Sequence, residues 1–149
     1  MTDVVRMPEH KASFFDAPVF SEGFRVFFPL TALYALFSIA MWGLVLADVL
    51  PVPFDADPLL FHQYEMFFGL FAAAMVGFLT TAVPSWSNTP KIAGAELAGL
   101  GALWLAGRVA FWTLDIFPSA VVFGVQALFP AALLVVVLPR LLKAKMRHL

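Results

Sequence analysis

The sequence predicts an all-α polytopic membrane protein, a bundle of about four transmembrane helices with both termini in the cytoplasm. Three observations carry this: the composition, the apolar runs and the placement of lysine and arginine. The chain has 149 residues, of which 62% are hydrophobic and 13% charged, with a mean hydropathy of +0.89. A soluble domain usually carries ~25% charged residues. A surface this poor in charge leaves too much apolar area against water, so lipid is its natural solvent. The net charge of -1 leaves no electrostatic footprint for nucleic acid. The absence of cysteine excludes disulfides, thiolate metal sites and a cysteine nucleophile.

The stretch from Met1 to Arg25 is no secretory signal. It scatters Asp3, Arg6, Glu9, Lys11, Asp16 and Glu22 among apolar residues and has no apolar core behind a basic start. It reads as a polar lead-in over residues 1–26, with Phe14, Phe15 and Phe20 at the membrane surface. A spanning helix needs roughly 20 apolar residues to cover ~30 Å of hydrocarbon at 1.5 Å per residue. Four runs qualify, and together they predict a bundle over residues 27–142. The first is Phe27 to Leu46, opened by Pro29 where a first turn tolerates proline. The second is Leu59 to Val83, ended by Pro84. The third is Leu97 to Ile116 and the fourth Pro118 to Leu138, with a kink expected at Pro130. Lipid leaves no partner for free backbone groups, so these runs are helices rather than open strands.

Topology follows from charge. Arg6, Lys11 and Arg25 precede the first run, Lys91 follows the second, and Arg140, Lys143, Lys145 and Arg147 end the chain. The other two connections hold Asp48, Asp55, Asp57 and Asp115 and no lysine or arginine. The positive-inside rule then puts both termini in the cytoplasm of a multi-pass inner-membrane protein. The basic stretch, including the tail at 143–149, is a topology and anionic-lipid anchor.

Two charged residues fall inside apolar runs: Glu65 and Arg108. A charge at membrane depth costs on the order of 3 kcal/mol on insertion scales, so each needs a partner, a wet cavity or a route to the interface. His62 precedes Glu65 by three positions and shares its helix face. Gly69, Ala73, Gly77 and Thr80 continue that face, and small residues at this spacing let another helix approach closely. Antiparallel second and third helices place Glu65 and Arg108 at similar depth near the outer surface, which predicts an ion pair. The alternative is an Arg108 that snorkels outward, toward Asp115. His62 is the one histidine near a span. It is either a single imidazole ligand for haem or a metal, with Glu65 beside it, or an interfacial histidine. His10 and His148 lie across the membrane from it. Trp42, Trp86, Trp104 and Trp112 read as packing and interface anchors. No nucleophile–base arrangement, phosphate-binding loop or full metal-ligand set is present, so no catalytic residue is assigned.

Four segments resemble the NnrS family, bacterial membrane proteins associated with haem and copper and linked to nitric oxide and nitrosative stress. Ala17 to Leu30 reads APVFSEGFRVFFPL, similar to the family's opening with Gly-Phe-Arg and an aromatic pair. Phe61 to Met66, FHQYEM, is similar to its Trp-His-x-His-Glu-Met signature, with Tyr64 in place of the second histidine. Gly77 to Asn88 reads GFLTTAVPSWSN, and Trp104 to Arg108 reads WLAGR, each matching a further stretch. Members typically have about twelve spans, so the resemblance covers their first four. It implies a nitric-oxide-response protein with haem or copper at His62 and Glu65. Tyr64 is assigned no ligand role. Two other functions compete: an assembly or scaffolding subunit docking as a homo-oligomer or on a larger membrane protein, and a small transporter or redox subunit using Glu65 and Arg108 as a relay.

Overall fold

The computed structural model describes residues 13–52 and 57–146. Most of the polar lead-in, Asp55 and the last three residues, with His10, His148 and Arg147, lie outside the described residues. Among those described the chain is helical, with no strand. Two short 3-10 turns, Phe14–Asp16 and Pro18–Ser21, lead into four helices: α1, Gly23–Leu46; α2, Pro58–Ser87; α3, Ala95–Phe111; and α4, Ser119–Met146. Three of them, α1, α2 and α4, are long and apolar enough to cross a membrane. At 17 residues, α3 rises only about 25 Å.

The helix ends are where sequence and structure part. Pro29 was expected in the first turn of α1, but it sits inside the helix, which starts at Gly23. The cause is tertiary. A Cβ on Gly23 would lie 1.9 Å from Thr80 Oγ1, so only glycine lets α1 begin against α2. There the Phe24 amide donates to Thr81 Oγ1 at 3.0 Å. The end of α2 was expected at Pro84, yet the helix runs on to Ser87. Proline removes one hydrogen bond, and the rest of the turn persists in apolar surroundings. Asn88 stops the helix instead, in the left-handed conformation that asparagine tolerates, at φ 49° and ψ 49°. The other end of α2 is set locally. Asp57 caps the amides of Leu59 and Leu60 at 2.9 and 3.0 Å, and Pro58 takes the first helical position. The third run was expected to reach Ile116, but α3 ends at Phe111 and turns follow through Ile116.

α1 lies against α2, α3 against α4, and α4 closes on α2. Phe27, Ala73, Val76, Val83, Leu97 and Leu100 fill the centre, with Ile92 from the connection between α2 and α3. Outward faces carry Leu33, Leu36, Ile39, Phe67 and Val135, all well exposed. That is the pattern of a bundle whose solvent is lipid. The small-residue face of α2 is buried along its length, at Gly69, Ala73, Gly77 and Thr80. Phe14 and Phe20 lie ring to ring with Phe15 ahead of α1, and Phe20 packs against the core.

Candidate functional site

α2 is not a regular α-helix throughout. From Glu65 to Phe71 it opens into a π-helical turn. Such turns are rare and frequently mark functional sites, because the wider i→i+5 spacing re-aims side chains. Here Glu65 is 2% exposed and turned into the bundle, and Gly69, four residues on, is buried beneath it. A Cβ on Gly69 would lie 2.3 Å from the Tyr34 ring. The glycine thus makes room for a phenol beside the carboxylate.

Five side chains from all four helices meet at this point. Arg108 of α3 donates through Nη1 to Glu65 Oε1 at 3.2 Å and through Nη2 to Gln126 Oε1 of α4 at 2.9 Å. Tyr34 of α1 donates its hydroxyl to Glu65 Oε2. Tyr64 of α2 donates to Gln126 Oε1. The Arg108 guanidinium also stands over the Tyr64 ring at 5.6 Å and the Phe111 ring at 5.9 Å, within cation–π range. Trp104 walls the cluster, donating Nε1 to the Gly69 carbonyl at 3.0 Å and meeting Tyr34 edge-on. Two buried nitrogens, Arg108 Nε and Gln126 Nε2, have no hydrogen-bond partner.

The two charges singled out in the sequence are therefore brought together, and Arg108 is 5% exposed. It does not snorkel: Asp115 lies exposed in the turn beyond α3, and the guanidinium points to Glu65 and Gln126 instead. Arg108 sits one turn from the end of α3, nearer that end than a helix to Ile116 implied. His62 goes elsewhere. Its ring stacks on Trp42 of α1, with centroids 4.3 Å apart and planes at 15°, and no hydrogen bond joins it to Glu65. Among the described residues no group of three histidine, cysteine, aspartate or glutamate side chains is placed to hold a metal. Glu65 has both oxygens engaged. Among the described residues, what the chain offers a haem or copper is thus one imidazole, that of His62.

Tyr34, Tyr64 and Gln126 were not singled out as partners. Their signal was present but weak. Gln126 is the one side-chain amide in its apolar run, and Tyr34 the one phenol in the first. Neutral polar groups inside a span also seek interhelical hydrogen bonds, at lower cost than charges.

Neither a curated protein nor a solved structure matches the chain. A family does: residues 18–149, nearly everything from the 3-10 turns onward, match the model described as NnrS protein. The opening Gly-Phe-Arg, the helix bearing Glu65 and the helix bearing Arg108 all fall within that match, and the chain belongs to the NnrS family.

Proposed function

We propose that this protein is a membrane component of the response to nitric oxide and nitrosative stress, acting by binding rather than by catalysis. The observation that carries the reading is the family match over residues 18–149, which takes in the whole polar cluster. The link to nitric oxide is what the family resemblance implies. In this reading the Glu65–Arg108 pair holds α2 and α3 in register beneath His62. The imidazole would then supply one ligand to haem or copper near the outer face, and a second copy or a larger membrane protein would supply the other. The stacked Trp42 ring would fix the plane of that imidazole.

The experiment is reconstitution of the purified chain with haem and, separately, with copper, followed by optical spectra and metal content. Binding is expected in the native chain and lost in His62→Ala. Binding that survives the substitution unchanged would sink the assignment of His62. No binding in either protein would favour the scaffolding role.

We further propose four crossings of a bacterial inner membrane, with α3 as the shortest, and both termini cytoplasmic. Lys91, Arg140 and Lys143 support this orientation, as do Asp48 and Asp57 on the opposite side. Reporter fusions after Leu149 should read cytoplasmic, and insertions between Asp48 and Asp57 should read external. The reverse pattern would overturn the topology.

A further inference from the structure

The buried side-chain atoms left with no partner in the polar cluster are all of one kind. Glu65 uses both oxygens, one for Arg108 and one for Tyr34. Gln126 Oε1 already accepts from Arg108 and Tyr64. What remains are two donors, Arg108 Nε and Gln126 Nε2, buried and unpaired. A buried donor without an acceptor costs about 1–3 kcal/mol, and the Tyr34 and Tyr64 hydroxyl oxygens, which could still accept, belong to residues that do not line the cavity beside these donors.

Beside these donors lies a cavity of ≈ 280 Å³ between α2, α3 and α4. Arg108 and Gln126 line it, and the other lining side chains are apolar or aromatic, with Phe71, Met75, Trp104 and Phe129 prominent. Phe67 and Phe71 also stand on the outer face of the bundle, so the cavity opens toward lipid rather than water. The volume falls just below the ~300–1,000 Å³ usual for small-molecule sites. It suits a single ring, with any tail left in the membrane.

These features select a ligand chemistry. The ligand must present an acceptor, because the unpaired polar atoms of the side chains lining the cavity are both donors. It must be neutral, because Glu65 and Arg108 balance each other and an added anion would be uncompensated in an apolar cavity. A flat ring suits the aromatic walls. We infer that this cavity binds the head of a membrane-soluble carbonyl compound of the quinone type, its oxygen accepting from Gln126 Nε2 and Arg108 Nε. The reduced quinol binds less well, since its hydroxyl hydrogens find no free side-chain acceptor in the cavity lining, where Gln126 Oε1 is already taken by Arg108 and Tyr64. A phospholipid ester shares the carbonyl but carries a charged head that the apolar walls exclude. The site is independent of the His62 proposal, because His62 does not line the cavity.

The test uses the full chain in detergent, titrated with a short-tailed ubiquinone analogue while tryptophan fluorescence is followed. Trp104 is the tryptophan in the cavity wall. Saturable quenching is expected. Ala72→Phe, which fills the cavity away from the polar pair, should weaken binding at least about tenfold, and Gln126→Leu should weaken it several-fold. Both variants are compared only where their size-exclusion profiles match the native chain, and Ala72→Phe alone suffices. The quinol should bind several-fold more weakly than the quinone. Quenching that never saturates, that is indifferent to Ala72→Phe, or that plain phospholipid abolishes would overturn the proposal.

Discussion

Changing Glu65 to glutamine is expected to remove more folded protein than changing Arg108 to methionine, and the double change is expected to restore part of the loss. The pair is enclosed, with side chains 3% and 6% exposed. Breaking such a pair by removing one partner typically costs about 3–5 kcal/mol, mainly through the charge left behind. The two single changes are not equivalent. Glu65→Gln strands a guanidinium, which cannot shed its proton. Arg108→Met strands a carboxylate, which can take up a proton and still accept from Tyr34. In the double variant no lone charge remains, and a glutamine at 65 keeps an oxygen for the Tyr34 hydroxyl. The measurement is the yield of monodisperse protein and its thermal midpoint in detergent, for both singles and the double. Strictly additive losses would show that the two side chains act independently, and would remove the pair from any account of how α2 and α3 are held.

The second large effect is steric. Gly77→Leu should prevent α1 from seating on α2, whereas Gly99→Leu should leave stability nearly unchanged. Both are helical glycines, and sequence alone does not rank them. A Cβ at Gly77 would lie 2.8 Å from Phe27 Cβ and 3.0 Å from the Phe28 ring, while a Cβ at Gly99 meets nothing within 4 Å. Phe27 is fully buried, so it has nowhere to go. Overpacking a closed contact typically costs about 1–3 kcal/mol, occasionally more, and leucine adds three further carbons beyond the Cβ. Thermal unfolding in a single detergent compares the two directly. Equal midpoints would mean that α1 and α2 are not packed through this face.

The sequence by itself determined the material and its exceptions. A run of apolar residues is a one-dimensional property, and lipid leaves a helix as its structural outcome, so the positions of all four helices were legible to within a few residues at most ends. The burial cost of a charge is likewise a property of its neighbours along the chain. Glu65 and Arg108 therefore stood out before any fold was known, and their matched depth was enough to pair them. Only the tertiary structure decided which neutral groups complete that pair. Whether Tyr34, Tyr64 and Gln126 face lipid or one another depends on how each helix is rotated, and in α2 the π-helical turn from Glu65 to Phe71 changes that rotation midway. The same holds for the helix ends that differ. Proline chemistry at Pro29 is local, but the start of α1 is fixed by Gly23 closing on Thr80, a contact 57 residues away along the chain. His62 shows the limit from the other side. Its spacing from Glu65 is written in the sequence, but its stacking on Trp42 is decided by the helix that packs beside it.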